Sequence, residues 1–430
     1  MPIFRMVNPI QEYDWGSTTS IPDLMNSPNP ASVPMAELWM GAHPKAPSRI
    51  VVNGREKSLL DAIVEDPVAM VGSSVREEYG STLPYLFKVL AAEKALSIQS
   101  HPNKRQAEVG WERENAAGIS PAAADRNYRD ANHKPELICA LTPFWGLRGF
   151  RMIPDIVEDF RSFADSDTDA TLLAERLAAR QNSDGLRQFF SSLMSLGSAA
   201  RERLLAGAVA YASRRWRALS GSDAVRRPDG PLANSGSAAR EAAAERFYWV
   251  CELARQFPGD IGVLGPLYLN TVFLAPGEAM FLSAGVLHAY LHGTGVELMA
   301  NSDNVLRGGC TTKHIDVPEL LATVDFQPEV PQILLPEGGR TRTYRSGARE
   351  FRLSVATVSA DEPELPLEGG MPKVVLCTQG SCVLTELTAN RQVDVKLERG
   401  HSVYVTADSP GVSVQGSCAI YIAGISQGGN

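Results

Sequence analysis

The chain has 430 residues and a net charge of −8, with 44% hydrophobic and 21% charged residues. A chain of this length predicts two or three domains of roughly 150 residues each, and the composition is that of a globular protein with a large core. The acidic balance argues against a nucleic-acid partner, which would need a basic face. It permits a phosphorylated ligand, because such a ligand needs only a few local cations.

The cysteines and the apolar runs indicate the compartment. The six cysteines form no Cys-x-x-Cys pair, so neither a thiolate zinc site nor a redox motif is visible. No apolar run reaches the roughly 18 residues of a membrane span, and the first residues lack the core of a signal peptide. We therefore expect a soluble, cytoplasmic protein with reduced thiols and no membrane partner. The sequence leaves the oligomeric state open, and a monomer is the preferred expectation.

The first 150 residues mix short strand-like runs with turns at Pro, Gly and Asn. A helix is predicted near residues 58–72, with Ser58 as its N-cap and a kink or break at Pro67. A second helix is predicted directly after Pro102.

Residues 96–104, "LSIQSHPNK", lie between these two helices. In an extended conformation this segment places Ser97, Gln99 and His101 on the same face. Three polar side chains in succession on one face of a buried-looking strand suggest that the face holds a ligand.

From residue 151 to 261 the apolar residues recur with the 3.6-residue period of amphipathic helices. A stretch rich in Ser, Gly, Asp and Pro at 218–237 interrupts them and predicts a surface loop. After 261 the pattern returns to strands and tight turns, and from about 331 it suits a small antiparallel barrel. We predict a mainly β protein with a helical insertion, in which residues 1–150 and 262–330 form a catalytic cupin-type jelly roll. A helical domain (151–261) and a C-terminal cupin-like β domain (331–430) complete the chain.

A recurring pattern of polar side chains in apolar strands predicts a metal site. Cupin jelly rolls present His-x-His on one strand, then a carboxylate, and then a Gly-x-x-His, all facing one cavity. This chain offers Gln99-x-His101, then Glu136, then Gly285-x-x-His288. Imidazole nitrogens with amide and carboxylate oxygens suit a borderline divalent ion, and they favour zinc. The C-terminal domain lacks a comparable set, so we expect it to be metal-free and structural.

Several longer segments resemble a known family. "YDWGS", "ELWMGAHPKAPS", "QSHPNK", "NHKPELICALTPF", "HAYL" and "ELMANSDNVLRGG" are similar to the type I mannose-6-phosphate isomerases, also called phosphomannose isomerases. The resemblance covers most of residues 1–330. It implies a zinc-dependent aldose–ketose isomerase that interconverts mannose 6-phosphate and fructose 6-phosphate. Its role in carbohydrate metabolism stays open between GDP-mannose biosynthesis and mannose catabolism.

The family's motifs also imply roles for individual residues. They place one zinc ion per chain on Gln99, His101, Glu136 and His288, the same residues that the cupin spacing selects. The family's catalytic arginine corresponds to Arg307. The resemblance also brings Lys134, Glu297 and Asp303 to the active site.

The sequence leaves the general base and the sugar-phosphate contacts open. The candidates for the base are Glu297, Asp303, His133 and Lys134. Ser97 and Trp15 are candidates for the sugar cavity, and Lys104 is a candidate for the phosphate, although it could equally be a solvated lysine that begins a helix.

Two other functions remain open on the sequence alone. One is a cupin iron dioxygenase or another metal-dependent cupin enzyme, which Gln99 argues against because such sites are rich in imidazole. The other is a non-catalytic cupin that binds sugar phosphates, in which the cations and carboxylates around the site would be superfluous.

Overall fold

The computed structural model describes residues 3–163, 168–220, 238–388 and 391–426. Of the predicted surface loop at 218–237, residues 221–237 lie outside the described residues. No described helix is both long and apolar enough to cross a bilayer.

The strands of the described residues are β1 (Ile3–Val7), β2 (Ile10–Gln11), β3 (Glu37–Gly41), β4 (Arg49–Val52), β5 (Arg55–Ser58), β6 (Tyr85–Ala92), β7 (Ile98–Ser100), β8 (Glu136–Ala140), β9 (Phe144–Phe150), β10 (Leu269–Leu274), β11 (Ala279–Leu282), β12 (His288–Ala300), β13 (Leu306–Gly309), β14 (Glu337–Gly338), β15 (Thr341–Tyr344), β16 (Arg352–Val358), β17 (Leu365–Glu368), β18 (Lys373–Thr388), β19 (Arg391–Glu398), β20 (Ser402–Val405) and β21 (Gly411–Gly424).

The helices of the described residues are α1 (Ser20–Leu24), α2 (Leu59–Glu65), α3 (Pro67–Val71), α4 (Ser73–Tyr79), α5 (Lys104–Ala116), α6 (Ile153–Ser162), α7 (Thr168–Ala179), α8 (Ser183–Met194), α9 (Ser198–Ser220), α10 (Ala238–Gln256), α11 (Gly265–Tyr268) and α12 (Val317–Thr323). A 3-10 turn covers Ile261–Leu264.

Both predicted N-terminal helices are present. The hydroxyl of Ser58 accepts a hydrogen bond from the Asp61 amide and caps α2. Pro67 begins α3 as a separate helix, because proline fits the first turn of a helix but cannot continue the preceding one. Asn103 closes a capping box at the start of α5, so that helix begins two residues after Pro102.

The long strand β12 connects the two sheets that enclose the site. Its first part pairs with β7 and β9, and its second part pairs with β6 and β8. The change of partner occurs near Gly293, which has a φ of +119°, and a Cβ atom at this position would lie only 2.5 Å from the Pro143 carbonyl oxygen. Only glycine fits this bend well. The sheets β10–β9–β12–β7–β13 and β11–β8–β12–β6–β3–β2 form the expected jelly roll, which confirms the cupin-type fold class.

The helical segment covers the outside of this barrel. Phe160, Phe190 and Phe247 from the helices share one core with Trp145 and Leu287 from β9 and the turn before β12. The helices therefore pack against the outside of the barrel and support the strands that carry the predicted metal ligands.

The C-terminal strands form a second sheet, in the order β14–β15–β16–β21–β18–β20, which β1, β4 and β5 extend. The N-terminal strand β1 pairs with β20, so the first residues of the chain join the C-terminal sheet. One apolar core joins the two β parts, because Phe87 and Leu137 of the barrel cluster with Leu353 and Tyr404. The interface between the parts is therefore a shared core.

Candidate metal centre and active-site cleft

Three of the predicted metal ligands converge on one point inside the barrel. The Nε2 atoms of His101 and His288 each lie 3.4 Å from a different carboxylate oxygen of Glu136. All three side chains are buried, and their possible ligand atoms lie within 4.8 Å of one another. Among the described residues, this is the one group of histidine, cysteine or acidic side chains that could hold a metal ion.

Strand ends bring the ligands together. His101 follows β7, and Glu136 and His288 are the first residues of β8 and β12. The amide of Gly285 donates a hydrogen bond to the His101 carbonyl, and this bond joins the turn before β12 to the end of β7. Gly285 has a φ of +82°, which a glycine tolerates without strain.

Hydrogen bonds to the backbone fix the tautomers of both histidines. Nδ1 of His101 lies 2.7 Å from the Asn304 carbonyl, and Nδ1 of His288 lies 2.9 Å from the Val286 carbonyl. A carbonyl only accepts, so each Nδ1 carries the proton and each Nε2 presents its lone pair to the centre. This is the arrangement of a histidine that ligates a metal through Nε2.

The protonation states also suit a divalent cation. Burial lowers the pKa of His101 to about 4. Burial alone would raise the pKa of Glu136, but Lys134 and His101 hold it well below its usual range. Neither Nε2 atom, nor Oε2 of Glu136, has a hydrogen-bond partner. Buried polar atoms are rarely left unpaired. Two imidazole nitrogens without a partner, together with an ionised carboxylate, therefore fit a zinc ion.

Gln99 lies next to this group in the sheet. It is opposite His288 on β12 and opposite Arg307 on β13. Residues directly opposite each other in antiparallel strands share a face of the sheet. Gln99, His288 and Arg307 therefore lie on one face.

A cleft of about 560 Å³ opens beside Gln99. Four residues predicted from the sequence line it: Trp15, Ser97, Gln99 and Arg307. Tyr13, which stacks on Trp15 at 5.7 Å between ring centroids, also belongs to its wall. The cleft is large enough for a phosphorylated hexose.

Two cations, Arg307 and Lys313, line the same cleft. Burial and the neighbouring Arg129 lower the pKa of Arg307. Burial also lowers the pKa of Lys313, with Arg307 as the next cause. Cations that repel one another in a partly buried cleft form a site that an anion would stabilise.

Lys134 reaches the metal centre directly. Its Nζ lies 2.8 Å from Oε1 of Glu136, and the residue is buried. A cation at this distance can donate to an oxygen of a sugar that is bound at the same centre.

The other candidates for the general base occupy different environments. Oδ1 of Asp303 lies 3.0 Å from Nζ of Lys45 and 3.9 Å from Nε2 of His43. Burial would raise the pKa of Asp303, but Lys45 and then His43 lower it overall. Nε2 of His133 lies 2.6 Å from Oε1 of Glu350.

Glu297 is buried in a network of its own. Its Oε2 lies 2.9 Å from Lys88, and its Oε1 accepts a hydrogen bond of 2.9 Å from the Tyr290 hydroxyl. Burial raises the pKa of this carboxyl. Lys88 and Tyr290 thus occupy both oxygens of this carboxyl group.

The structure does not bring Lys104 into the cleft. Its Nζ donates to the Ala131 carbonyl at 2.8 Å and to Oδ1 of Asn132 at 2.9 Å, and it lies 3.4 Å from Glu108. The ammonium is held by its own helix and by the loop before β8, because α5 begins at this residue and directs the side chain there. Its position matches that of a lysine beginning a helix.

Two polar residues of the structure, Lys88 and Lys313, were not predicted from the sequence. Lys88 lies in the middle of β6, every residue of which is buried, and it pairs with Glu37 at 3.4 Å and with Glu297. A lysine within the apolar run "PYLFKVLAA" is the signal that could have revealed it, since buried lysines are rare unless paired. The sequence around Lys313 contains no comparable signal for its position in the cleft.

The chain is similar to known proteins over nearly its whole length. A family model described as phosphomannose isomerase type I, catalytic domain, matches residues 3–153. Proteins named mannose-6-phosphate isomerase from Salmonella typhimurium and Escherichia coli are 39% and 36% identical to it, over 96% of this chain and 97% of each relative. A crystal structure of zinc-bound mannose 6-phosphate isomerase superposes with a TM-score of 0.83 and 35% identity, covering 99% of this chain and 100% of that chain.

Proposed function

This chain belongs to the type I phosphomannose isomerase family, and we infer from that membership that it interconverts mannose 6-phosphate and fructose 6-phosphate. It is a zinc-dependent aldose–ketose isomerase with one zinc ion per chain. The observation that carries this function is the group of His101, Glu136 and His288, whose free lone pairs face one point beside a cleft. The family membership and the metal group do not favour the alternative functions of a dioxygenase or of a non-catalytic sugar-phosphate-binding protein.

We assign Gln99, His101, Glu136 and His288 as the zinc ligands. Gln99 supports this assignment because it shares a face of the sheet with His288. A bound zinc ion supplies Lewis acidity toward the oxygens of the sugar.

The reaction moves one proton between two neighbouring carbons. A base takes the proton from C2 of the aldose, an enediolate forms, and the proton is returned to C1. At the same time the oxygen on C1 gains a proton and the hydroxyl on C2 loses one, so the carbonyl appears at C2. The protein must therefore hold a base beside C1 and C2 and cations beside both oxygens.

We assign the cationic role to Arg307 and Lys134. Arg307 lies in the cleft opposite Gln99 and is always charged, so it stabilises the developing enediolate. Lys134, at 2.8 Å from Glu136, donates to an oxygen of the sugar at the metal centre. Lys313 lies at the exposed side of the cleft and is suited to the phosphate. Ser97 and Trp15 line the space left for the sugar.

We assign the role of general base to Asp303. Lys45 and His43 favour its ionised form, and its side chain is 29% exposed and so within reach of a ligand. The next residue, Asn304, accepts a hydrogen bond from Nδ1 of His101 through its carbonyl, so the backbone beside Asp303 adjoins the metal centre. Glu297 is less suited, because Lys88 and Tyr290 occupy its oxygens. His133 is held by Glu350.

The Asp303→Asn variant tests the base. We expect kcat to fall by about 10²-fold, the lower end of what general-base help contributes, because the amide cannot accept the proton. Zinc should remain at one ion per chain. Because the ionised form of Asp303 is the active one, its protonation should not limit the parental kcat/KM until the pH falls through its lowered pKa. Asp394→Asn, on exposed β19, is the control. A kcat within threefold of the parental value would contradict this role.

A coupled assay tests the function itself. We expect the purified protein to form fructose 6-phosphate from mannose 6-phosphate, to lose this activity after dialysis against a chelator, and to regain it with added zinc. Glucose 6-phosphate, the C2 epimer, is the control substrate. The absence of product from zinc-loaded protein would overturn the function.

We also propose the broader setting of the protein. Its partner is a small sugar phosphate, and it acts as a cytoplasmic monomer without nucleic-acid or membrane partners. The net charge of −8 supports the absence of a nucleic-acid partner, and the six free cysteines support the cytoplasmic location. We propose the division into a catalytic part (1–150 and 262–330), a helical part (151–261) and a C-terminal part (331–430), with β1 as an extension of the C-terminal sheet.

A further inference from the structure

The loop before β8 makes a polar contact with the C-terminal part of the chain. Nε2 of His133, in this loop, lies 2.6 Å from Oε1 of Glu350, which follows it by 217 positions. The His133 side chain is 33% exposed and the Glu350 side chain is 14% exposed. Because the Glu350 carboxylate is largely buried and the two atoms are 2.6 Å apart, this charge-assisted hydrogen bond is stronger than a typical exposed ion pair.

Glu350 is held firmly on its own side of the contact. It lies in the turn between β15 and β16, next to Phe351 and two residues after Ala348, both of which are buried in the core that the two β parts share. Gly347 makes the turn tight, with a φ of +74°. Hydrogen bonding and charge from His133 lower the pKa of Glu350, although burial alone would raise it. The C-terminal part thus presents a fixed, ionised carboxylate to the loop.

The loop is attached to the barrel on its other side. The Asn132 carbonyl accepts hydrogen bonds from Asn304 at 2.8 Å and from Ser302 at 3.1 Å. The next residue is His133, which faces Glu350, and the one after it is Lys134, which contacts Glu136. Asn132 therefore contacts the barrel, His133 contacts the C-terminal part, and Lys134 contacts the metal centre.

We propose that Glu350 is a positioning residue for the isomerisation: through His133 it fixes the loop that places Lys134 at the metal centre. The C-terminal part, which has no metal site of its own among the described residues, thereby contributes to catalysis. This inference rests on the proposed role of Lys134. A displacement of about 1 Å in a reacting group can cost about 10²-fold in rate, so a loosened loop should reduce kcat noticeably.

Steady-state kinetics of the holoenzyme test this inference. In Glu350→Gln we expect kcat to fall about tenfold, part of the roughly 10²-fold cost of misplacement, while KM changes less than twofold. Glu350→Asp keeps the charge and should restore kcat to within about threefold of the parental value. His133→Asn should match Glu350→Gln, and the double variant should be no slower than either single variant, because both act through one contact. Glu337→Gln, in an exposed ion pair of the same sheet, is the matched control.

Zinc content and a cooperative melting transition separate positioning from folding: zinc should stay at one ion per chain in every variant, and each variant should melt cooperatively even where the lost contact lowers the melting temperature. A parental kcat in Glu350→Gln, or losses that multiply in the double variant, would overturn the inference. A loss in Glu350→Asp as large as in Glu350→Gln would also overturn it. Lys134→Met tests the proposed function separately: a parental kcat in that variant would remove the role of Lys134, whatever the Glu350 variants show.

Discussion

Replacing His101 with alanine is expected to remove zinc from the protein and to lower kcat/KM by about 10⁴-fold. The remaining ligands hold the ion poorly, and the stabilisation that the metal gives the transition state, several kcal/mol, is lost with it. Each 1.36 kcal/mol or so corresponds to a factor of ten in rate. Elemental analysis of the purified variant and the coupled assay measure the two effects together.

His401→Ala is the matched control for this prediction, because it removes an exposed histidine of the C-terminal part. It should retain one zinc ion per chain and the parental rate. His288→Ala should behave like His101→Ala, since the two imidazoles contact Glu136 in the same way. Full zinc occupancy in either ligand variant would contradict the assignment.

Arg307→Ala is expected to lower kcat by about 10³-fold while zinc binding is preserved. Removing one group that stabilises the developing oxyanion typically costs about 10²–10³-fold, and Arg307 is a full cation in a partly enclosed cleft. Arg307→Lys should recover only part of the loss, because an ammonium lacks the planar pair of donors of the guanidinium.

Two measurements complete the Arg307 test. Arg340→Ala removes an exposed arginine that pairs with Glu362, and it should leave kcat unchanged. Zinc content should stay at one ion per chain in Arg307→Ala, since the side chain is not among the ligands. A kcat within threefold of the parental value would show that Arg307 does not contact the reacting oxygens.

The group of His101, Glu136 and His288 was predictable because each of these residues lies at or beside the end of a strand. The Gln-x-His spacing places Gln99 and His101 on one face, and strands that close into a barrel bring Glu136 and His288 to the same point as His101. The cupin fold class was predictable for a related reason: the 3.6-residue period of 151–261 differs clearly from the alternation around it, and the structure confirms this contrast.

Contacts between distant segments were not predictable from local patterns. The pairing of β1 with β20 depends on how the two β parts pack, and nothing in "PIFRMV" indicates its partner. The ion pair of His133 with Glu350 joins residues 217 positions apart. Lys104 illustrates the converse case, because its sequence position beside His101 suggested a ligand contact, whereas the geometry of α5 directs its ammonium to Ala131 and Asn132.

Anomalous diffraction from zinc-loaded crystals, recorded on both sides of the zinc absorption edge, tests the central claim most directly. The expected result is one peak per chain, about 2.0–2.2 Å from Nε2 of His101, Nε2 of His288 and oxygens of Glu136 and Gln99. A zinc peak at any other place in the chain, or a Gln99 side chain turned away from the ion, would contradict the ligand set proposed for this enzyme.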